Sequence, residues 1–342
     1  MSHSRHILSS IALVICSTIV GVFLAEAVIR WLLPPPPSEN LNSPPLISME
    51  GQTDEGEWRA WLLTPSHESS HEGVAVQTNS WGCRDEEFQE LLDPNTRRML
   101  VTGDSVVYGE GTAQHSILPY ALRKVYEEHY DVVGCGQWGY TTLDSYMLYQ
   151  QHLAKLTPAI VMHVFFLNDA ECRQFCSHPE PDPQSANTQS TSWKRLQQFL
   201  DPWLAPKSRL WEVVSTNVDK ALQAQEMQET LKQTFSEESP GWQQSRRYLL
   251  KYRDTVESDG GQFILAIFPM MTNFQNYPLH FAHDTVNDFC ASTGLTCIDL
   301  LPAFESAGGF PLSYHANLLN AHPNEKAFEV AALHIHRVLP NP

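Results

Sequence analysis

Basic side chains are scarce in this chain: 22 lysines and arginines stand against 39 aspartates and glutamates in 342 residues, a formal charge of −17. That balance repels a phosphate backbone and offers no basic tract for a nucleic acid to neutralise, which argues against a nucleic-acid partner. Metal-ligand spacing is lacking as well. Cys172 and Cys176 have neither the C-x-x-C interval nor the histidine partners of a zinc site, so a buried or bridged role is read for them and no metal is assigned. No organic cofactor is implied.

What is present begins at the amino terminus. Residues 7–29 form an apolar run broken only by small polar side chains and Glu26, long enough to cross a hydrocarbon core of roughly 30 Å. Arg5 precedes it, while Glu39, Glu50, Asp54 and Glu55 follow, so the positive-inside bias predicts a single-pass membrane helix with a cytoplasmic amino terminus and the remaining chain periplasmic or at the cell surface. Glu26 and Arg30 are spaced to pair at the outer interface. Ala25-Glu26-Ala27 has the form of a signal-peptidase site, but the apolar stretch before it exceeds the usual length, which favours an uncleaved anchor. Of seven cysteines, Cys16 lies in the span. The others, Cys83, Cys135, Cys172, Cys176, Cys290 and Cys297, are even in number and can bridge in an oxidising compartment, with the pairing left open.

The predicted organisation is a membrane anchor over 1–33, a Pro-rich spacer and irregular lead-in over 34–75, and one catalytic domain over 76–342 with an insertion at about 171–240. Apolar β-rich runs at 98–102, 131–134, 160–167, 262–268 and 296–300 predict strands buried on both faces. Helical patterns near 117–129, 142–155, 243–258, 281–292 and 325–338 alternate with them, which predicts an α/β fold with a parallel sheet. The insertion breaks the alternation with a Pro, Ser, Thr, Asn and Gln-rich stretch at 179–192, followed by amphipathic pieces carrying Trp193, Trp203 and Trp211.

Four motifs carry the chemistry. Gly103-Asp104-Ser105 follows the first strand of the alternating pattern and sets a hydroxyl on a sharp turn, where an α/β hydrolase places its nucleophile. Gly134-Cys135-Gly136-Gln137-Trp138-Gly139 follows the second. It formally matches G-x-G-x-x-G, yet lacks an acidic residue about 20 positions on, so Gly139 is read instead as a close backbone approach donating an N–H to an oxyanion. Leu167-Asn168-Asp169 closes the third strand, where the Asn168 amide can serve as another donor. Ala321-His322-Pro323-Asn324 precedes the last helix, where a loop histidine can act as general base towards Ser105.

Taken together these blocks resemble the SGNH (GDSL-type) hydrolase superfamily, over about residues 74–338 apart from the insertion. The stretch Thr78-Asn79-Ser80-Trp81-Gly82-Cys83-Arg84-Asp85 and the anchor ending Glu26-Ala-Val-Ile-Arg30 look like those of membrane-anchored members. The resemblance implies a three-layer α/β/α flavodoxin-like fold with about five parallel strands. It implies Ser105 as nucleophile, His322 as base, an oxyanion hole from Ser105, Gly139 and Asn168, and Asp104 and Asp169 in support. One departure stands out. The family usually carries an aspartate two or three residues before the histidine, and here those positions are Asn320 and Leu319. Asn320 is therefore the candidate third member, able to accept from the imidazole through its carbonyl. The implied function is an extracytoplasmic serine esterase acting on O-acyl groups of a carbohydrate or lipid. The alternatives are an O-acetyltransferase for an envelope or exported polysaccharide, and a silent binding or assembly module.

Overall fold

The computed structural model describes residues 2–33, 44–89, 92, 96–126, 129–175, 192–205 and 207–340. Pro34 to Pro37, Cys176 and nearly all of 179–192 lie outside them. The chain divides into two compact units, Met1–Glu39 with His178–Ala224, and Asn40–Ser177 with Gln225–Pro342.

In chain order the elements are α1 (Ser2–Leu32), β1 (Leu46–Thr53), β2 (Gly56–Leu63), β3 (Glu68–His71), β4 (Val74–Gln77), β5 (Arg97–Gly103), α2 (Ser105–Tyr108), α3 (Leu118–Tyr126), β6 (Tyr130–Gly136), α4 (Thr142–Gln151), β7 (Ile160–Phe165), α5 (Ser192–Leu204), α6 (Arg209–Thr234), α7 (Pro240–Ser258), β8 (Gln262–Ile267), α8 (His280–Thr293), β9 (Cys297–Asp299), α9 (Leu301–Ala307) and α10 (Glu325–Val338). Helix α1 contains one window, Leu13–Leu32, with a mean hydropathy of 2.0 and no buried residue, long and apolar enough to cross a membrane.

The larger unit is an α/β domain around a five-stranded sheet in the order β6-β5-β7-β8-β9, every pair parallel. Numbered within the sheet this is 2-1-3-4-5, the flavodoxin-like order, which reverses direction between its first and third strands. All six residues of β7 are buried, as expected of a strand covered on both faces. The predicted strands and helices of the alternating region all form, within a few residues of their expected bounds.

The lead-in differs from its prediction as an irregular segment. Residues 46–77 form two antiparallel hairpins, β1-β2 and β3-β4. No alternation announces them because β1 buries almost nothing, and β2 is held instead by single large side chains. Trp58 is fully buried, and its indole N–H donates to Asp144 Oδ1 at 2.8 Å. The second hairpin turns at Glu72-Gly73, both at positive φ (50° and 78°), the backbone that a two-residue hairpin turn demands.

Two neighbouring residues join this lead-in to the sheet. Arg84, 2% exposed, donates to the carbonyls of Tyr108 (2.9 Å), Gly109 (2.7 Å) and Thr112 (2.8 Å), pinning the loop after α2. Asp85, its side chain wholly buried, accepts Arg123 Nη2 on both oxygens at 2.6 Å and the Gly134 N–H at 2.7 Å. Disulfides Cys83–Cys135 and Cys290–Cys297 add covalent ties, Cys172 is also disulfide-bonded, and Cys16 is free. Removing one partner of a buried ion pair strands the other charge, at about 3–5 kcal/mol. Asp85→Ala is accordingly expected to lower the unfolding free energy by about that much in urea titrations; a loss below about 1 kcal/mol would contradict the stapling role.

Candidate active site

The sheet register explains why three separate motifs meet. Gly103 pairs with Gly136 on β6 and with Val164 on β7, so the carboxyl ends of these adjacent strands lie level. Ser105, Gly139 and Asn168 leave that common edge within a few residues. Ligands of open α/β sheets bind outside such an edge, at the point where strand order reverses, and here that point lies between β5 and β7.

Each block is held by local chemistry. Asp104 caps α2, accepting the Val106 N–H at 2.9 Å, which fixes Ser105 at the first helical position. A Cβ on Gly136 would sit 2.3 Å from the Tyr108 nitrogen, so only glycine lets α2 settle on the end of β6. Gly139 has φ +72° in a turn closed by the Tyr140 N–H on the Gln137 carbonyl, and Arg173 holds its own carbonyl. Both glycines thus have packing roles inside the formal G-x-G-x-x-G. Asp169 accepts the Phe166 N–H (2.8 Å) and the Thr142 hydroxyl (3.1 Å), anchoring the turn that carries Asn168.

His322 approaches from the other end of the chain. Its loop is tied by the Ala316 N–H to the His322 carbonyl (2.7 Å) and by the Thr112 hydroxyl to the Pro323 carbonyl (2.9 Å), while Asn324 caps α10. The result is a line of contacts. His322 Nε2 lies 2.9 Å from Ser105 Oγ, and His322 Nδ1 lies 2.7 Å from Asn320 Oδ1. That same Oδ1 accepts the backbone N–H of His322 at 2.9 Å. A main-chain N–H can only donate, so the facing atom of Asn320 must be its oxygen. An amide oxygen can only accept, so Nδ1 must carry the ring proton. Nε2 is then the bare nitrogen, facing the serine hydroxyl as a general base requires.

Beneath the serine lies a buried carboxyl. Asp104 Oδ2 accepts from Asn168 Nδ2 at 3.0 Å and lies 3.4 Å from Ser105 Oγ, farther than His322 Nε2 does. Burial, with the Asp169 charge beside it, pushes Asp104 up to about 7. The structure therefore brings Ser105, His322, Asn320, Asp104 and Asn168 into one hydrogen-bonded cluster. It places Gly139 on the same sheet edge and Asp169 in the supporting turn.

One residue escaped the motif reading. Glu110 Oε1 lies 3.7 Å from His322 Nδ1, on the loop pinned by Arg84. Burial, reinforced by the nearby Glu72 carboxylate, pushes Glu110 up to about 7. An imidazolium formed at His322 would have this carboxylate within ion-pair distance. The only sequence signal was an acidic residue between two glycines, Gly109-Glu110-Gly111, a few positions past the serine. His71, Glu72 and Glu110 also place donor atoms within 4.8 Å of one another, and a cation held there would compete with His322 for the same carboxylate.

Neither protein-family models nor curated proteins match the chain. Solved structures similar to it include a protein named TesA (15% identity over 71% of this chain and 98% of that one, TM-score 0.42). A catalytic mutant of an acetylxylan esterase from Geobacillus stearothermophilus shares 14% identity over 74% of this chain and 97% of its own, TM-score 0.41. A GDSL-like lipase from Bacteroides thetaiotaomicron shares 9% over 73% and 91%, TM-score 0.39. These likenesses are distant.

Glu110 yields a pH prediction with opposite signs for activity and stability. Its folded value of about 7 exceeds its ordinary 4.5, so folding takes up a proton between them. The stability this contributes is full below the ordinary value and is lost as pH rises through about 7. If His322 works as a general base, turnover moves the other way, since only the ionised carboxylate steadies an imidazolium. Glu110→Gln is expected to lower kcat/KM about tenfold above pH 7 and less below pH 6, while flattening the stability profile between pH 4.5 and 7. Equal losses at all pH values would remove the carboxylate from the mechanism.

Proposed function

We propose that this chain is a membrane-anchored, extracytoplasmic serine esterase of the SGNH type, cleaving O-acyl esters of a carbohydrate or lipid through an acyl-Ser105 intermediate. The observation that carries the reading is the shared Asn320 oxygen, which holds His322 in the tautomer a general base needs. In the first half-reaction Ser105 gives its proton to His322 Nε2 as Oγ attacks the ester carbonyl. Negative charge then develops on the carbonyl oxygen, where the N–H groups of Ser105 and Gly139 and the amide of Asn168 are the donors. For Asn168 this means sharing the hydrogen bond it now gives Asp104. Collapse of the intermediate expels the alcohol, which takes the proton from Nε2. Water repeats the sequence in reverse and frees the acid.

The amide of Asn320 replaces the carboxylate of a Ser-His-Asp site. Where Asp-to-Asn replacement costs a serine protease about 10⁴ in kcat, the loss comes from the wrong tautomer. Here the tautomer is set by the main chain, and Glu110 offers the missing negative charge at 3.7 Å. That geometry counts against a silent module. The apolar window Leu13–Leu32, preceded by Arg5, supports the anchor and its orientation, and the disulfides suit an oxidising compartment.

Three variants of the detergent-solubilised full chain test the proposal on p-nitrophenyl acetate. Ser105→Ala is expected to lose at least about 10³-fold in kcat and to form no acyl adduct by mass spectrometry. Asn320→Ala, which frees the imidazole, is expected to lose about 10²-fold, whereas Asn320→Asp changes the rate by far less than the 10⁴ of a tautomer defect. Undiminished turnover by a folded Ser105→Ala protein would sink the assignment. With a glycan acceptor present, acyl transfer in place of free acid would identify the transferase.

A further inference from the structure

Helix α5 carries large apolar side chains on two sides, and only one of them is packed. Along one side Trp193, Gln197 and Asp201, spaced four apart, are bonded to α6: Trp193 Nε1 donates to Asp219 Oδ1 (2.9 Å), Gln197 Nε2 to Asp219 Oδ2 (3.0 Å), and Asp201 Oδ1 accepts Trp211 Nε1 (2.7 Å). The indoles of Trp193 and Trp211 also pack, with centroids 5.8 Å apart. Leu196, Phe199 and Trp203, spaced three and four apart, point away from α6 and are 47%, 70% and 69% exposed. The side of α5 that bears Trp193, Gln197 and Asp201, with the half-buried Leu200 and Leu204 beside them, therefore meets protein, while three further large apolar side chains meet the surroundings. In water this would leave a continuous hydrophobic stripe uncovered, at a cost of about 25 cal/mol for each Å².

The remainder of the same unit indicates what covers the stripe. Glu26, inside the apolar window of α1, accepts the Ser208 hydroxyl (2.8 Å) and the N–H groups of Arg209 (3.0 Å) and Leu210 (2.9 Å), and Arg30 donates to the Lys207 carbonyl at 2.5 Å. The start of α6 is thus fastened to the last turns of the apolar helix. Trp203 is five residues before Ser208, hence no more than about 18 Å of extended chain away. Trp31, 80% exposed, marks the same end of α1. The charge fits too. Between residues 194 and 209 stand Lys194, Arg195, Lys207 and Arg209 against one acid, Asp201, in a chain whose formal charge is −17, Arg209 being paired with Glu212.

We propose that the Leu196-Phe199-Trp203 face of α5 lies in the outer membrane–water interface, where the apolar stripe enters the acyl boundary and the neighbouring basic residues meet anionic headgroups. The proposal rests on the reading of α1 as a membrane anchor, and deepens it. Anchor and interfacial helix then form a two-point mount: one segment crosses the bilayer and the other lies along it. Trp203 and Trp31 supply the aromatic contacts that favour this depth.

The test uses the full chain with Cys16→Ser, reconstituted in phosphatidylethanolamine–phosphatidylglycerol vesicles and spin-labelled through Phe199→Cys or, as a control on another face, Gln198→Cys. The label at 199 is expected to collide freely with oxygen and to be shielded from an aqueous nickel chelate, while the label at 198 meets the chelate. Carbonate extraction at alkaline pH on the same vesicles reports the anchor separately. Equal chelate access at 199 and 198 in a carbonate-resistant protein would overturn the interfacial helix and leave the anchor standing. Release by carbonate would overturn the anchor and, with it, the proposal. A triple variant, Leu196→Ser, Phe199→Ser and Trp203→Ser, keeps every bond between α5 and α6; faster amide exchange in its α5 than in the wild type, both in vesicles, is the expected companion result, and unchanged exchange would count against lipid contact.

Discussion

A single amide oxygen organises the chemistry of this molecule. Asn320 Oδ1 accepts two hydrogen bonds from one residue, the main-chain N–H and the ring N–H of His322, and the first fixes what the second must be. Without the main-chain bond the amide could turn over and present its NH₂ group, the imidazole would hold its proton on Nε2, and Ser105 Oγ would face a ring N–H in place of a bare nitrogen. A carboxylate has no such ambiguity, since both its oxygens accept. An asparagine at this position works only where the backbone vouches for its orientation. The loop contacts of Ala316, Thr112 and Asn324 supply that geometry.

The motif blocks were legible because each is a strand end followed by a turn, and strand ends declare themselves through short apolar runs and glycine. Level register of β5, β6 and β7 then brings Ser105, Gly139 and Asn168 to one edge, as parallel pairing of similarly placed runs would suggest. Glu110 was not legible, because its meeting with His322 depends on Arg84 gathering three carbonyls of the loop between, a contact no local pattern encodes. The hairpins of 46–77 escaped for a different reason. Their strands are held by Trp58 and by turn geometry, and β1 alternates only between half-buried and exposed residues, too weakly for its sequence to show it. The helical spacing of α5 could be read directly, but not which of its sides faces α6. Hydrophobic periodicity gives the width of a stripe and is silent on what covers it.

Charge is distributed unevenly for a reason the two units make plain. The larger unit buries its ions in pairs or against backbone carbonyls, with Asp85 on Arg123 and Arg84 on Tyr108, Gly109 and Thr112. The smaller unit sets Glu26 on the N–H groups that begin α6, the partner a helix amino terminus prefers. In the first case burial makes an ion structural. In the second, an acid seated near the end of an apolar helix becomes a fastening point.

The Ser105–His322 contact joins residues 217 positions apart, across nearly the whole sheet domain. Seen in time, Ser105 and the turn that bears it are made early and His322 late. At a synthesis rate of 5–20 residues per second the interval is on the order of ten to forty seconds. Throughout it Ser105 is without the imidazole it faces in the folded chain. The Ser105–His322 contact therefore forms only when the final loop and α10 dock, after all five strands of the sheet have been made.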